Sequence, residues 1–303
     1  MRVLITGAGG FVGSHLAEFT AKKKGVRLFG LTRRDCDVRD GKKLSAILKK
    51  AAPDRIFHLA ASSSVKRSWE EPKLTFLNNV EGTRSLMESV KRSCPKARVL
   101  VTSSAEVYGG RKSRQKLRES SKLRPANPYA VSKVLQELVA YRYFSADGLH
   151  VVRTRAFNHI GPGQSDAYVV SSFAKQTACI EAGLQKPVLK SGNLNAVRDF
   201  TDVRDVVRAY WLCLEKGEAG DVYNISSGRG RRIGEMLRYY LGRSVVTIKP
   251  EKDPRRMRAA DPSSLVGDSG KLRRRTGWCP EFSFEESLSD ILDHWRKKIE
   301  VDL

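Results

Sequence analysis

A tyrosine and a lysine four residues apart, Tyr129 and Lys133, are the residues whose types and spacing most directly indicate chemistry. Side chains four positions apart lie on one face of a helix, so the phenol and the ammonium can point at one place. A free phenol has a pKa of about 10, and a cation held beside it favours the phenolate and lowers that value. The pair is therefore expected to act as an acid or base near neutral pH. Pro128, directly before the pair, is a typical first residue of a helix.

A glycine-rich segment follows the first predicted strand and opens the first predicted helix. Gly7, Gly10 and Gly13 stand three residues apart in the sequence TGAGGFVG. Glycines here allow a tight turn, close approach of the backbone to a pyrophosphate, and close packing of the helix on the strand. The N–H groups and the dipole of the helix N-terminus can then hold the anion. The segment predicts a dinucleotide site that Phe11 and Val12 also contact.

The residues after the second predicted strand bear on which dinucleotide is bound. Enzymes selective for NAD usually place an acid here to hold the ribose 2′-hydroxyl, whereas this chain has Thr32, Arg33 and Arg34. Guanidinium groups suit a 2′-phosphate, which favours NADP(H) over NAD(H). Two alternatives stay open: the arginines belong to a very basic surface, or the nearby Asp35 serves NAD(H).

Further residues are expected to line the cofactor. Asp37, which precedes Val38, could accept a hydrogen bond from the adenine amine. Three small residues after the predicted strand 55–59 complete this set: Ala60, Ala61 and Ser62.

Apolar segments rich in β-formers alternate with amphipathic helical segments through the first half of the chain and must position these residues. The predicted strands are 3–6, 26–31, 55–59, 98–103 and 151–157, and the predicted helices are 13–23, 42–50, 74–92 and 128–144. Strands separated by helices indicate βαβ units with right-handed crossovers. The sequence therefore predicts an α/β fold with a Rossmann-type, doubly wound parallel sheet. The polar stretch 109–126 is expected to be a loop.

After Gly161 the pattern changes to short strands mixed with helices. The predicted strands are 188–190, 222–225 and 245–248, and the predicted helices are 166–183, 203–216, 231–241 and 284–299. This mixture suits a smaller α/β lobe that covers a cleft. We expect an NADP-binding Rossmann domain over residues 1–160, to which 195–220 returns, and a substrate-binding lobe over 161–303.

The chain of 303 residues is strongly basic, with 56 Lys and Arg against 33 Asp and Glu and a net charge of +23. Such a field attracts polyanions, so a nucleic-acid partner has to be considered. The charge is spread in short clusters, however, and is expected to be a solvated surface that serves an anionic small substrate. No apolar segment approaches the ~18 residues of a membrane span, which predicts a soluble, cytoplasmic protein. The five cysteines are scattered without metal-ligand spacing, which indicates reduced thiols and no metal site.

The chain resembles the extended short-chain dehydrogenases/reductases, the NAD-dependent epimerase/dehydratase family, over nearly its full length. The matching motifs are TGAGGFVG at 6–13, HLAA at 58–61, NVEGT at 79–83, SSAEVYG at 103–109 and YAVSK at 129–133. The resemblance implies that Ser104 is catalytic and hydrogen-bonds the oxygen that is reduced. It also implies that Tyr129 protonates this oxygen, and that Lys133 tunes Tyr129 and binds the nicotinamide ribose.

The resemblance further implies a homodimer, because family members commonly pair the helices that correspond to 74–92 and 128–144. Four residues of the second helix could form this face or could equally belong to the core: Leu135, Leu138, Val139 and Tyr143.

Two motifs of the second half, RAFNHIGPGQ at 155–164 and VRDFTDVRD at 197–205, resemble segments of family members that process GDP-mannose. This resemblance implies that Asn158 and Arg198 contact the diphosphate of a GDP-sugar, for which guanidinium groups are suited. Arg258 aligns with the arginine of an Arg-Pro-x-Glu motif. That motif has become RAAD here, so Asp261 stands in place of the glutamate.

Glu106 leaves two reactions open. Family members that dehydrate GDP-mannose have a glutamate at this position as the base at C5, and reductases can retain it. Dehydratases of this type also carry an extended loop after the second strand, whereas only two residues separate Arg34 from Asp37 here. The expected reaction is NADPH-dependent reduction of the C4 keto group of GDP-4-keto-6-deoxy-D-mannose to GDP-D-rhamnose. GDP-mannose 4,6-dehydration, or another nucleotide-sugar epimerase or reductase activity of the family, is the alternative.

Overall fold

Short strands rich in apolar and β-branched residues form a parallel sheet. The structure, a computed structural model, describes residues 1–110, 115–257 and 264–302. The sheet contains β1 (Arg2–Thr6), β2 (Arg27–Leu31), β3 (Arg55–His58), β4 (Arg98–Ser104), β5 (Val151–Ala156) and β9 (Val222–Ile225). The strand order is β2-β1-β3-β4-β5-β9, and every neighbouring pair is parallel. The predicted doubly wound α/β fold is thereby confirmed.

Helices cover both faces of the sheet, because alternate residues of a strand point to opposite sides. On one side Leu4 packs in an apolar layer, and on the other side Val3 and Ile5 pack in a second layer. Burying one such side chain contributes about 1.5–3 kcal/mol, so the two layers hold the strands in register. The first layer contains α2 (Gly41–Ala51), α5 (Gly82–Ser93) and α6 (Pro128–Asp147), and the second contains α1 (Phe11–Ala21), α8 (Val203–Lys216) and α10 (Gly270–Thr276).

A third apolar cluster builds a smaller lobe from the second half of the chain. Its helices are α7 (Val169–Glu181), α9 (Ile233–Arg243) and α11 (Phe284–Asp302). Its strands are β6 (Asn158–Ile160), β7 (Val188–Ser191), β8 (Val197–Asp202), β10 (Gly230–Arg232), β11 (Lys249–Lys252) and β12 (Ser264–Leu265). Strand β8 pairs with β6, β10 and β12, while β7 pairs with β11.

The predicted division at residue 160 stays a prediction. Within the segment 195–220, α8 packs on the six-stranded sheet, whereas β8 belongs to a sheet of the lobe.

The predicted helix 74–92 is interrupted. Helices α3 (Val65–Glu70) and α4 (Pro72–Phe76) lead into a π-helical turn at Leu77–Glu81, and α5 follows directly. A π turn carries one more residue per hydrogen-bonded loop than an α turn, so it shifts the direction of the side chains that follow. This turn directs Asn79 into the protein interior, where it is fully buried.

The predicted strand 245–248 is wrong. The lobe instead pairs Lys249–Lys252 with β7, and Val245 is 79% exposed. The apolar composition of 245–248 suggested a strand, but of its apolar side chains only Ile248 packs into the lobe core. Within the described ranges, no helix is both long enough and apolar enough to cross a membrane.

Candidate active site

The predicted site residues gather at the carboxyl ends of β1, β3 and β4. The strand order reverses between β1 and β3, and ligands of open α/β sheets bind at such a point. At the end of β1, Gly7 has a φ of +75°, and a Cβ on it would lie 2.8 Å from the backbone N of Ala60. A Cβ on Gly13 would lie 2.1 Å from the carbonyl oxygen of Gly7. The turn therefore requires both glycines, and it packs the loop after β3 against the loop after β1.

Helix α1 begins directly behind this turn with a bare N-terminus. Its cap residue, Gly10, has no side chain with which to hydrogen-bond the first amides of the helix. Unsatisfied N–H groups and the positive end of the helix dipole make such a terminus an anion site. The first helical residue, Phe11, stacks on the ring of His159 at 6.0 Å, while Val12 packs against the apolar layer of the sheet. The glycine turn and the helix terminus thus fit a dinucleotide pyrophosphate.

The turn after β2 uses Asp35 as a hydrogen-bond acceptor within the turn and leaves the side chains of Arg33 and Arg34 exposed. Thr32 donates to one carboxylate oxygen of Asp35 through its backbone N–H at 2.8 Å and through its hydroxyl at 2.6 Å. These bonds lower the pKa of Asp35, the bond from the Thr32 side chain contributing most. Asp35 therefore closes the turn, while Arg33 and Arg34 are exposed beyond it. A Cβ on Gly9 would lie 3.3 Å from the methyl group of Thr32, so this turn adjoins the glycine-rich loop.

Asp37 is held by a third arginine that sequence reasoning missed. Arg39 donates to Asp37 from its backbone and its guanidinium, with Nε at 2.9 Å from one carboxylate oxygen. The hydrogen bond from the Arg39 side chain is the main reason that the pKa of Asp37 falls to about 2. The adjacent Val38 fills the space beside Gly82, the first residue of α5. The two-residue spacing of Asp37 and Arg39 in the sequence could have indicated this ion pair.

Asn79 links the loop after β3 to helix α6, a role that sequence reasoning did not assign. Its carbonyl oxygen accepts from the backbone N–H of Ser62 at 2.7 Å. Its amide donates to the carbonyl of Ser62 at 3.1 Å and to the hydroxyl of Ser132 in α6 at 2.9 Å. The loop containing Ala61 and Ser62 is thus fixed relative to the helix that carries Tyr129.

Ser104 and Tyr129 are brought together as predicted. Ser104 is the last residue of β4, and Tyr129 lies in the first turn of α6, which Asn127 caps by accepting from the N–H of Ala130 at 2.8 Å. Burial raises the pKa of Tyr129, and a hydrogen bond with the Ser104 side chain opposes this shift. The expectation that Lys133 lowers the pKa of Tyr129 is therefore wrong for this structure, because desolvation of the phenolate dominates. A phenol that keeps its proton is suited to act as an acid.

Lys133 is buried behind Tyr129, with its Nζ 5.9 Å from the centre of the phenol ring. The Nζ donates to the carbonyl oxygen of Thr102 at 3.0 Å and to the side-chain oxygen of Gln136 at 2.8 Å. Burial lowers the pKa of Lys133 to about 7, while the charge of Glu137 opposes this shift. The amine is thus held at a fixed place and is close to its titration point at neutral pH.

Glu106 lies in the same site. Its backbone N–H donates to the Ser104 hydroxyl at 3.2 Å, and its carboxylate accepts from the amide of Asn127 at 3.2 Å. The negative charge of Glu106 adds to the rise in the pKa of Tyr129. Tyr168, the residue before α7, also raises this pKa and lies 3.5 Å from the hydroxyl of Ser63. Sequence reasoning missed Tyr168, because only the tertiary fold brings it to this site.

The second-half motifs lie on strands of the smaller lobe. Strands β6 and β8 pair side by side, with Asn158 exposed and Arg198 buried. The guanidinium of Arg198 donates to the carbonyl of Val197 at 2.8 Å. The loop after β6 reaches the start of α1, where the carbonyl of Pro162 lies 2.8 Å from Nε2 of His15. The other two predicted substrate residues, Arg258 and Asp261, lie outside the described residues.

Comparisons with known proteins agree with this geometry. Residues 31–291 match the family model described as GDP-mannose 4,6 dehydratase. The chain is 34% identical over 299 residues to GDP-6-deoxy-D-mannose reductase of Pseudomonas aeruginosa, with 98% of each chain covered. It is 27% identical over 348 residues to GDP-mannose 4,6-dehydratase of Yersinia enterocolitica, with 96% of this chain and 92% of the dehydratase covered.

A solved structure, that of RMD from Pseudomonas aeruginosa complexed with NADPH, superposes with a TM-score of 0.91. The two chains are 34% identical, and the match covers 98% of this chain and 99% of the other. The chain therefore belongs to the family of GDP-mannose 4,6-dehydratase and its relatives, within the extended short-chain dehydrogenases/reductases.

Proposed function

We propose that this member of the family reduces the C4 keto group of GDP-4-keto-6-deoxy-D-mannose with NADPH and forms GDP-D-rhamnose. One observation carries the proposal. The partly buried Ser104 and the buried Tyr129 and Lys133 lie together, in a chain that matches a GDP-6-deoxy-D-mannose reductase over 98% of both sequences.

The cofactor-binding residues fit NADP(H). The glycine turn and the N-terminus of α1 would hold the pyrophosphate, and the exposed Arg33 and Arg34 would face the 2′-phosphate. Asp37 would meet the adenine, and the loop at Ala60, Ala61 and Ser62 would line the other side. When bound, the nicotinamide supplies the hydride that the reduction requires.

Three side chains of this protein handle the proton. Tyr129 carries its proton at neutral pH, as a phenol ordinarily does and as burial further favours, so it can donate to the oxygen at C4 as negative charge develops there. The Ser104 hydroxyl can donate a second hydrogen bond to the same oxygen. Lys133 supports this arrangement from behind and would contact the nicotinamide ribose. Asn158 and Arg198 would hold the substrate diphosphate, and the segment containing Arg258 and Asp261 would meet its guanosine end.

GDP-mannose 4,6-dehydration is the second candidate, and the position of Glu106 favours it. This carboxylate lies within the same cluster as Ser104 and Tyr129, where it could remove a proton from C5 of the sugar. Two observations favour the reductase. The alignment with the Yersinia dehydratase extends over 348 positions although this chain has 303 residues, so the dehydratase contains inserted segments. The turn after β2 is also short, because the backbone N–H of Cys36 already donates a hydrogen bond to the carbonyl of Thr32.

The experiment that separates the candidates supplies two substrates. GDP-mannose with NADP⁺ is offered to the protein in one reaction and GDP-4-keto-6-deoxy-D-mannose with NADPH in a second, and the products are identified by NMR. We expect no change in GDP-mannose and formation of GDP-D-rhamnose from the keto sugar. Conversion of GDP-mannose to the keto sugar without net consumption of NADPH would identify the dehydratase instead.

The proposed homodimer uses the outer face of α6. On this helix Leu135 and Leu138 are exposed, Val139 is partly buried, and Tyr141 adds a third exposed side chain. Tyr143 is buried and its hydroxyl donates to Glu88 of α5 at 3.0 Å, so it serves the core of one chain. An apolar strip of this kind is typical of a protein interface.

A further inference from the structure

A continuous chain of buried hydrogen bonds runs from the catalytic lysine to the residue before the glycine turn. Its links are Lys133 to Gln136 at 2.8 Å, Gln136 to Thr83 at 2.9 Å, Thr83 to His58 at 3.0 Å, and His58 to Thr6 at 2.8 Å. Four of these residues are fully buried and Lys133 is 3% exposed. Since unpaired polar groups in such a place cost free energy, every donor in the chain must face an acceptor.

The direction of these hydrogen bonds is fixed at the Thr83 hydroxyl. This hydroxyl has one proton, which it donates to the carbonyl oxygen of Asn79 at 2.7 Å, because a carbonyl can only accept. Thr83 must therefore accept from both of its other partners. One is the amide nitrogen of Gln136, which leaves the Gln136 oxygen facing Lys133. The other is Nε2 of His58, which must carry a hydrogen.

The remaining links follow from the charge of His58. Burial holds the pKa of His58 at about 3, with the charge of Lys133 as a smaller cause, so the ring is neutral at neutral pH. With its hydrogen on Nε2, the ring accepts at Nδ1 from the hydroxyl of Thr6. The oxygen of Thr6 in turn accepts from the backbone N–H of Ala60 at 3.3 Å. The chain thus ends at the loop that packs against Gly7.

We propose that Thr83 and His58 are positioning residues for Lys133: His58 in its Nε2–H form and the Thr83 hydroxyl orient the Gln136 amide so that its oxygen faces the lysine. The proposal rests on the function given above only in taking Lys133 to serve the cofactor. Neither Thr83 nor His58 touches the reacting atoms. Their effect passes through the Gln136 oxygen, one of two acceptors of the Lys133 amine, the other being the carbonyl of Thr102.

Removing the Thr83 hydroxyl should therefore change the titration of the lysine. In Thr83→Val the Gln136 amide loses the acceptor that orients it, and its oxygen is no longer held toward Lys133. Loss of one hydrogen bond to a charged group should lower the lysine pKa by about one unit. Thr83→Ser keeps the hydroxyl and should restore the original behaviour. Gln136→Glu places a carboxylate beside the amine and should shift the pKa upward. Three other titratable groups surround the amine and are unchanged in all these variants: His58, Tyr129 and Glu137.

Two measurements test the proposal, and neither needs a sugar substrate. The first is ¹⁵N NMR of the histidine rings, of which the chain has only five, with His58→Gln used to assign the signal. We expect a neutral His58 with its hydrogen on Nε2 from pH 5.5 to 8 in the unmutated protein and in Thr83→Ser, and a loss of this preference in Thr83→Val.

The second measurement is NADPH affinity as a function of pH. Affinity should fall as pH rises through the lysine pKa near 7, because the cationic form favours the anionic cofactor. The pH at which NADPH affinity falls (the affinity limb) should be lower in Thr83→Val, unchanged in Thr83→Ser, and higher in Gln136→Glu. A purely structural role of Thr83 would lower stability but leave the limb unmoved.

A signal of the Nδ1–H form for His58 in the unmutated protein would overturn the proposal. It would also be overturned if NADPH affinity fell at the same pH in Thr83→Val as in Thr83→Ser. If Thr83→Val does not fold, the tautomer of His58 in the unmutated protein carries the test. A protein that shows these shifts but reduces no GDP-keto sugar would disprove the proposed function and leave this inference standing.

Discussion

At the scale of single residues, burial shifts the pKa values of the two groups at the centre of the proposed site. It raises the pKa of Tyr129 and lowers that of Lys133, because each loses the hydration of its charged form. A phenol is already protonated in the neutral range, so the shift at Tyr129 keeps it a proton donor, whereas the shift at Lys133 brings the amine close to its titration point. Ser104 and Glu106 act on the same phenol in opposite directions, the hydroxyl by a hydrogen bond and the carboxylate by its charge.

Cofactor choice is tested at Arg33 and Arg34. In the unmutated protein NADPH should bind more tightly than NADH, because two exposed guanidinium groups are available to the 2′-phosphate. In the double variant Arg33→Ala with Arg34→Ala, the ratio of NADPH affinity to NADH affinity should fall by a factor of about ten or more, which corresponds to at least about 1.4 kcal/mol. Fluorescence titration with each cofactor measures both affinities.

The matched control is Lys49→Ala with Lys50→Ala, which removes the same charge from the last turn of α2, before β3 begins. This variant should keep the preference for NADPH. Equal affinities for the two cofactors in the unmutated protein would refute the assignment of the arginines.

Substituting the two acidic groups of the site separates their roles. Tyr129→Phe removes the proton donor and should lower kcat/KM for the keto sugar by about a hundredfold or more, as expected for general acid catalysis. Glu106→Gln removes only a carboxylate that reduction does not use, so it should lose less than about tenfold, or about 1.4 kcal/mol of barrier. Steady-state NADPH oxidation measures both. A loss in Glu106→Gln as large as that in Tyr129→Phe would assign the carboxylate a catalytic role.

At the scale of elements, α6 positions the site because it is anchored at three levels. Asn127 caps its start, Ser132 receives the amide of Asn79, and Glu137 pairs with Arg155 of β5. The last contact is a buried, two-pronged ion pair with N–O distances of 2.9 and 2.7 Å. It ties the catalytic helix to the sheet.

Breaking this pair should therefore destabilise the whole fold. Glu137→Ala leaves the Arg155 charge buried without its partner and should lower the free energy of unfolding by about 3–5 kcal/mol. Arg142→Ala is the control on the same helix: the Arg142 side chain is 56% exposed and Asp147 keeps Lys91 as a second partner, so the loss of this pair should cost no more than about 1 kcal/mol. Urea unfolding followed by circular dichroism gives both values. Equal losses in the two variants would contradict the account of how α6 is held.

The sequence predicted the elements whose pattern is local and missed those that tertiary contacts decide. The continuous apolar run of Val3, Leu4 and Ile5 and the spacing of the glycines from Gly7 to Gly13 were sufficient to place the first βα unit. No local pattern distinguishes the π turn at Leu77–Glu81 from a continuous helix, because its residues favour either. Lys249–Lys252 has the sequence KPEK, which is not typical of a strand. Its four residues are exposed and form a strand only through backbone pairing with β7.

The same distinction applies to the site. The motif residues Ser104, Tyr129 and Lys133 are brought together as predicted, because α6, which carries the last two, contacts the end of β4: Tyr129 hydrogen-bonds Ser104, and Lys133 donates to the carbonyl of Thr102. Tyr168 belongs to no local motif and reaches Tyr129 only across the fold. The direction of the pKa shift at Tyr129 was also beyond the sequence, because it depends on how deeply the phenol is buried.

At the scale of the whole molecule, the smaller lobe contacts the start of α1 beside the glycine turn. The carbonyl of Pro162, in the loop after β6, lies 2.8 Å from Nε2 of His15, and His159 of β6 stacks on Phe11. Leu135 and Leu138 of α6 are exposed and available to a second chain.

The homodimer is tested by changing one of these leucines. Leu138→Arg should convert the dimer to a monomer, because a charge would be buried in an apolar interface. Leu184→Arg is the matched control, since both leucines are 56% exposed and Leu184 belongs to the smaller lobe. Light scattering at micromolar concentration should give the mass of a dimer for the unmutated protein and the control. A monomer mass for the unmutated protein would refute the dimer.

The central claim is that hydride passes from NADPH to C4 of a GDP-linked keto sugar. Its most direct test is a single turnover with NADPH that carries deuterium at the transferring position, followed by NMR of the product. We predict GDP-D-rhamnose with deuterium at C4 and one NADPH consumed for each sugar reduced. A keto sugar left unreduced, together with conversion of GDP-mannose without net oxidation of NADPH, would contradict the claim.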